Sequence, residues 1–544
     1  MRKYLWLAYA LPLLSLFAIE AAFFAGPWST WRPIAGFFWM VFAAVVLLSA
    51  GVASLLPFCR REFWGAPGRG WYLLAFFGVP FLVLFGAGGI RFCTVDTEGL
   101  QQLAAGVGLL RTDSALGIFS MAYSRYLARQ YLLNSLPTLI LGPSLWAARF
   151  GTAMFYLVSY AFFLAALVDY LRRRRNPAAL LLAAYAGALI AFGEYALLNA
   201  RKFEQTSMPL GCMLLFLGAL LHFADEPGPL TLLWLTWSVG FFTGCYTPAL
   251  AGWVLAVAIL VYLVLWRQRW ALLVPILYGL ACLGIAFLVM ERADSAALPL
   301  EFGTGPEHPL TAAGWFLRYL NSVRAAVGGG SALLQAPVAA AVGLGIALAW
   351  RQRDWRYAAV LAWALGTAVL AVTLIGSAFA SPARSLARAL LILPPLLLGT
   401  LLLLERQRAS APPAPGGALA LLMRASIAYM ACTGLLTVLF VRSFIGNPWE
   451  NDDDEVFDLV SRLVTTPGTH PREFYVVPPL QVDLAAGMPY FTPGAVWLLQ
   501  PPPAGARRPG TYVFSYRYDD PDERDDNDMA PKHRPRPYVL LRPE

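Results

Sequence analysis

The sequence predicts an α-helical polytopic membrane protein, and two observations carry that prediction. Of the 544 residues, 58% are hydrophobic and only 13% are charged, whereas an ordinary soluble chain carries about 25% charged residues. The hydrophobic residues also gather into runs of the length that an α-helix needs to cross a bilayer, about 20 residues. A water-soluble protein is therefore excluded.

Apolar runs bounded by charged residues, proline or glycine recur along the chain at 4–24, 34–58, 71–90, 151–171, 178–198, 208–223, 230–245, 249–266, 270–290, 336–350, 357–379, 389–404 and 425–441. Backbone polar groups in hydrocarbon are satisfied within a helix, so these runs predict about thirteen transmembrane helices. The first run follows Met1, Arg2 and Lys3 and is too long for the apolar core of a signal peptide. It predicts a membrane anchor.

The arginines predict the orientation of these helices. With a cytoplasmic N-terminus, the short inner loops receive most of the arginines that flank the runs, namely Arg60, Arg61, Arg69, Arg172, Arg173, Arg174, Arg175, Arg267, Arg269, Arg351, Arg353, Arg356, Arg406 and Arg408. This distribution follows the positive-inside rule. Basic residues beside apolar runs favour membrane lipids, or a phosphorylated substrate, as partners and argue against nucleic acid.

Three long segments then lie on the outer side, at 91–149, 291–335 and 442–544. In the first, Thr112 and Asp113 offer a helix cap before apolar residues at helical spacing between 116 and 127, which predicts a helix lying in the membrane interface. Ordered loops carry sites more often than the helices that position them. We therefore expect chemistry on the outer side.

The tail is acidic, with 16 acidic and 11 basic residues from 442 to the end. An acidic helix start at 451–455 precedes strand-like runs at 473–477, 495–499, 511–516 and 537–541. The sequence thus predicts two domains, a polytopic transmembrane domain at 1–441 and a small outer α/β domain at 442–544.

Asp96 and Glu98 are the candidate catalytic acids. They follow the third run within a few residues, where partial burial against the bilayer would hold a carboxylate in place and tune its pKa for acid–base chemistry. The alternative is a pair that caps the next helix, because Asp and Glu favour helix N-termini.

Basic residues at membrane level on the outer side are the complementary candidates: Arg201, Lys202, Arg384 and Arg388. Side chains of this type bind phosphate. The alternative is that they anchor helix ends by extending their charged groups to the interface.

No metal site or cofactor is predicted with certainty. The four histidines are scattered, and none forms a zinc-binding pattern with cysteine or with an HExxH motif. The acidic run at 519–528 lacks the spacing and the glycine of a calcium-binding EF-hand loop. It is typical of a solvated loop, and dependence on a divalent metal stays open.

Four segments resemble the membrane-embedded GT-C glycosyltransferases, in particular the bacterial relatives of the protein O-mannosyltransferases and aminoarabinose transferases. Residues 96–99 (DTEG) are similar to the acidic motif that opens the first long outer loop of that family. Residues 141–150 (LGPSLWAARF) look like the start of the family's next span, and 243–248 (TGCYTP) resemble a later turn, without the frequent lysine. The acidic tail resembles the outer C-terminal domain, although the acidic loop here follows the third apolar run, whereas the family usually places it after the first span.

The resemblance implies a bacterial inner-membrane enzyme that transfers a sugar from a polyprenyl-phosphate-linked donor at the outer face, with inversion. Asp96 would be the general base and Glu98 its neighbour. Arg149 would support the loop and belongs, with Arg201, Lys202, Arg384 and Arg388, to the residues expected to bind the substrate phosphate. The acceptor would be a lipid, a glycan or a protein.

Two readings from other classes remain open. One is a transporter or flippase of a lipid-linked glycan, although transporters often show internal repeats and polar or broken helices at mid-membrane, and no repeat is visible here. The other is a non-catalytic membrane scaffold, because no motif by itself demonstrates turnover.

Overall fold

The computed structural model describes residues 32–85, 145–192, 208–243, 249–292 and 423–432, four short segments between 473 and 541, and isolated positions elsewhere. The helices are α1 (Arg32–Cys59), α2 (Arg61–Gly65), α3 (Arg69–Phe85), α4 (Leu145–Arg173), α5 (Ala179–Ala191), α6 (Met208–Asp225), α7 (Pro229–Phe242), α8 (Ala249–Arg267) and α9 (Leu273–Arg292). A short 3-10 turn, Trp270–Leu272, leads into α9.

Each apolar run predicted between residues 34 and 290 coincides with one of these helices, with ends that differ by a few residues. Within the described residues, Phe37–Cys59, Arg149–Arg173 and Met208–Asp225 are long and apolar enough to cross a membrane. Arg69–Leu84, Ala179–Ala191, Pro229–Phe242 and Trp270–Gly284 are shorter apolar helices. The protein is therefore a helical membrane protein, while the total of about thirteen spans stays a prediction.

Helix α4 lies at the centre of the described bundle. Within its most apolar stretch 89% of the residues are buried, against 33% in α1. The outward residues of α1 are large and apolar, and Leu48 and Val52 are both more than half exposed. A helix with this pattern faces lipid along one side, because lipid is as apolar as the side chains it touches.

Glycines allow α6 to approach α4 closely. A β-carbon at Gly211 would lie 2.8 Å from Cε1 of Phe155, and one at Gly218 would lie 2.7 Å from Cδ1 of Phe162 and 3.2 Å from Cα of Phe163. These two glycines are seven residues apart and so lie on one face of α6. Small residues at contacts of this kind are typical of helix packing in membranes.

The four predicted strands of the tail are present as β1 (Glu473–Val476), β2 (Val496–Leu498), β3 (Thr511–Tyr516) and β4 (Tyr538–Leu541). They form one mixed sheet in the order β2-β1-β3-β4. Strand β1 pairs in parallel with β2 and β3, and β3 pairs antiparallel with β4, with Val513 opposite Leu541. The predicted helix before β1 and the interface helix near residues 116–127 lie outside the described residues.

Candidate functional site

Of the residues predicted to form the site, the described part of the chain contains Arg149. The placement of the other predicted site residues stays a prediction, because they lie outside the described residues. They are Asp96, Glu98, Arg201, Lys202, Arg384 and Arg388. The described part of the candidate site consists of α4 and the helices that surround it.

Arg149 lies in the first turns of α4 and is only 2% exposed. Arginine keeps its charge under all conditions that proteins meet, and burying a charge is costly unless anions or hydrogen-bond acceptors surround it. Twenty residues of helix separate Arg149 from Asp169, which is about 30 Å at 1.5 Å per residue. That length equals the hydrocarbon thickness of a bilayer, so the two side chains belong to opposite membrane faces.

We call these two regions the Arg149 end and the Asp169 end of the bundle. Helices α1, α4 and α6 run in the same direction. Ion pairs join residues at the ends of all three helices, and the start of α6 at Gly211 packs on Phe155 in the first half of α4. Helices α3 and α5 both start at the Asp169 end, where Gly68 contacts Leu181, and Gly78 contacts Phe192 further along.

Polar side chains extend from the Arg149 end into the bundle along one face of α4. Arg149, Thr152, Tyr156 and Ser159 are spaced by three, four and three residues and therefore share a helical face. All four are nearly fully buried. The hydroxyl groups of Tyr156 and Ser159 have no hydrogen-bond partner among the described residues. Buried polar groups of this kind within a membrane bundle commonly mark a functional region.

An aromatic cluster packs beside this polar face. It consists of Trp39 on α1, Phe155 on α4, and Trp237 and Phe241 on α7. The ring centroids of Trp237 and Phe241 are 4.9 Å apart, those of Phe155 and Phe241 are 5.2 Å apart, and those of Trp39 and Phe241 are 6.2 Å apart. These rings hold the starts of α1 and α4 and the end of α7 together by packing.

The Asp169 end is held by ion pairs. Arg60 donates two hydrogen bonds to the carboxylate of Asp169, at 2.7 Å and 3.2 Å. Arg173 lies 2.6 Å from Glu226 and 3.9 Å from Asp225, and Arg174 lies 3.8 Å from Asp225. The ends of α1, α4 and α6 are thereby tied together.

Sequence reasoning missed this network. It used Arg60 and the arginines from 172 to 175 to orient the chain, and it assigned no role to Asp169. The signal that was present is the position of Asp169 inside an apolar run, since an ionisable residue within a span requires a partner.

No group of three or more histidine, cysteine, aspartate or glutamate residues that could hold a metal ion occurs within the described segments. Cys212 is buried, and its thiol lies 3.4 Å from the carbonyl oxygen of Ser238.

Comparison with known proteins places the chain by its fold. No protein-family model matches it, and no curated protein matches it. Among solved structures, it is similar to ArnT from Cupriavidus metallidurans bound to undecaprenyl phosphate, with a TM-score of 0.50 and 13% identity. That match covers 87% of this chain and 97% of ArnT. Apo ArnT from the same organism matches with a TM-score of 0.41 and 15% identity over 79% and 86% of the two chains.

The likeness to lipid-bound ArnT supports the predicted GT-C-like fold. Since that match covers 87% of this chain and 97% of ArnT, it is not confined to one shared segment. At 13% identity, the likeness establishes the fold alone.

Proposed function

We propose that the protein is an integral membrane glycosyltransferase. It transfers a sugar from a polyprenyl-phosphate-linked donor to a lipid, glycan or protein acceptor at the outer face of the bacterial inner membrane. The Arg149 end faces the outside and the Asp169 end faces the cytoplasm. The chain divides into a transmembrane domain at 1–441 and an outer domain at 442–544.

The likeness to a structure of ArnT bound to undecaprenyl phosphate is the observation that carries this proposal. A second observation agrees with it, because a buried arginine lies at one membrane face of the central helix. A guanidinium group presents parallel N–H donors that match two phosphate oxygens, and it is stronger in this role when water is excluded. The burial of Arg149 at that face supports its proposed role as a cation that binds the lipid phosphate.

The reaction is an inverting displacement at the anomeric carbon of the sugar. Asp96 removes the proton from the acceptor hydroxyl as its oxygen forms the new bond to that carbon. The bond from the carbon to the phosphate oxygen breaks at the same time, and the polyprenyl phosphate leaves. Glu98 supports the base, and the charge that develops on the phosphate is stabilised by the basic side chains of Arg149, Arg201, Lys202, Arg384 and Arg388.

The proposal is tested by sugar transfer with the purified full-length protein, an undecaprenyl-phosphate-linked labelled sugar and cell-envelope acceptors. Asp96→Asn keeps the size of the side chain but removes the base, so transfer should fall by ~10²-fold or more while the protein stays folded. Glu98→Gln should cost less. The matched control is Glu62→Gln, which changes an exposed glutamate at the Asp169 end and should leave transfer unchanged.

Three outcomes separate the alternatives. Normal transfer by both variants, with each losing at most ~1–2 kcal/mol of stability, would show that the two carboxylates only cap a helix. Loss with Glu98→Gln alone would move the base to Glu98. Movement of the labelled lipid across the membrane with the sugar–phosphate bond intact would indicate a flippase.

A further inference from the structure

We propose that helix α2 and the start of α3 bind the headgroup of an anionic phospholipid at the Asp169 end. The site consists of Arg61, Trp64 and Arg69, and we call it the α2 foot. It lies on the membrane face opposite to Arg149 and is independent of the transfer reaction.

The α2 foot is held in place by its own backbone. The indole nitrogen of Trp64 donates a hydrogen bond of 3.1 Å to the carbonyl oxygen of Phe58, and Arg69 donates to the carbonyl oxygen of Trp64. Gly68, with φ of +85°, turns the chain into α3 and lies against Leu181 of α5. A left-handed turn of this kind favours glycine. The side chain of Arg69 is therefore held at the backbone of Trp64 before any ligand binds.

The arginines of the α2 foot differ from their neighbours in the ion-pair network. Arg60, Arg173 and Arg174 pair with carboxylates, whereas Arg61 and Arg69 are exposed and have no carboxylate partner among the described residues. One N–H group of Arg69 donates to the carbonyl oxygen of Trp64. Its other N–H groups have no carboxylate or carbonyl acceptor among the described residues. Both side chains are thus available to an anion from outside the protein.

Apolar residues lead from the α2 foot along the surface of α3. Leu74, Phe77 and Phe81 are exposed by 38%, 54% and 59%, and their spacing places them on one face of the helix. From Arg69 to Phe81 the helix rises about 18 Å, close to one leaflet of a hydrocarbon core about 30 Å thick. An acyl chain can therefore follow this face while its phosphate lies at the foot.

Trp64 supports a membrane lipid as the occupant over a soluble phosphate compound. Its ring is 50% exposed although it sits beside apolar helix ends, which is the position that tryptophan takes at the membrane–water interface. Basic residues at that level attract anionic lipids more than zwitterionic ones. The combination of two arginines without a carboxylate partner among the described residues, an interfacial ring and an apolar face fits an anionic phospholipid such as phosphatidylglycerol.

The test measures thermal unfolding of the full-length protein in detergent micelles with three additions: phosphatidylglycerol, phosphatidylcholine with the same acyl chains, and inorganic phosphate. A ligand that binds the folded state raises the unfolding temperature. Phosphatidylglycerol should raise it by several degrees, and the other two should have little effect. Arg69→Gln and Arg61→Gln should each lose most of this shift, and Arg69→Lys should recover part of it.

Arg175→Gln is the matched control, because Arg175 is an exposed arginine on the same face that does not belong to the foot. It should keep the full shift. If Arg69→Gln does not fold, Arg61→Gln carries the test, since no hydrogen bond of Arg61 is broken within the described residues. Equal shifts with phosphatidylcholine, a shift reproduced by inorganic phosphate, or an equal loss in Arg175→Gln would each overturn the proposal.

Discussion

At the Asp169 end of the bundle, Arg60, Arg173 and Arg174 reach across helices to Asp169, Asp225 and Glu226. At the Arg149 end, aromatic rings from α1, α4 and α7 pack together, and the guanidinium group of Arg149 is buried. The two ends are part of one bundle, yet different forces hold them.

The ion pairs at the Asp169 end indicate a structural role for that end, whereas the buried arginine at the opposite end is a candidate for substrate binding. Ion pairs at the Asp169 end join residues that are 109 positions apart in sequence. Buried polar atoms of Tyr72, Arg172 and His222 at the same end have no hydrogen-bond partner among the described residues. Buried polar groups at the Arg149 end are costly unless a partner satisfies them. A buried charge near one membrane face commonly marks a functional region, and together with the GT-C-like fold this supports the role proposed for the Arg149 end.

Removing a charge from the Asp169 end should produce the larger loss of stability. The side chain of Asp169 is 6% exposed and that of Arg60 is 41% exposed, so the two partners are not equivalent. Arg60→Gln leaves a buried carboxylate without its cation and should lower the free energy of unfolding by about 3 kcal/mol. Asp169→Asn leaves an arginine that water can reach and should cost about 1 kcal/mol. Equilibrium unfolding in mixed micelles measures both.

Arg61→Gln is the control for this pair, because it removes an adjacent, exposed arginine and should change stability by less than about 0.5 kcal/mol without added lipid. An equal cost for Arg60→Gln and Arg61→Gln would show that the Arg60–Asp169 pair contributes nothing. A larger cost for Asp169→Asn than for Arg60→Gln would contradict the difference in burial on which the prediction rests.

Packing at the Arg149 end should be sensitive to added volume. Gly211→Ala would place a methyl group 2.8 Å from the ring of Phe155, whose neighbours Trp237 and Phe241 restrict its movement. Overpacking of this kind should lower the free energy of unfolding by about 2 kcal/mol. Gly51→Ala in α1, where nothing lies within 4 Å of the new atom, should be neutral or raise stability by up to about 1 kcal/mol. Equal effects of the two changes would contradict close packing of α4 on α6.

Much of this fold follows from local patterns in the sequence. The run 208–223 forms α6. Its apolar side chains can face either lipid or other helices, and the hydrogen bonds of its backbone are satisfied within the helix. The strand-like run at 511–516 becomes β3 with the same bounds. The alternation of side chains and their β-propensity are enough to predict this strand, because glycine precedes the run and a charged segment follows it.

Contacts between distant residues could not be predicted in the same way. Nothing in the local sequence at Asp169 indicates that Arg60 is its partner. The need for glycine at 211 and 218 is visible only once Phe155 and Phe162 are known to lie opposite them. Arg149 was selected through a family motif, and its burial is a property of the packed bundle. The placement of Asp96 and Glu98 relative to Arg149 depends on the long loop and remains a prediction.

Binding of undecaprenyl phosphate to purified, folded variants tests the central claim most directly. Hydrogen bonds to charged groups contribute about 1.5–3 kcal/mol, so Arg149→Gln should weaken binding by about 10-fold or more, with Arg149→Lys intermediate because it keeps the charge without the paired donors. Arg269→Gln, at an exposed arginine on the opposite face, should bind as the wild type does. Unchanged affinity in folded Arg149→Gln, or an equal loss in Arg269→Gln, would contradict the assignment of the lipid phosphate to the Arg149 end.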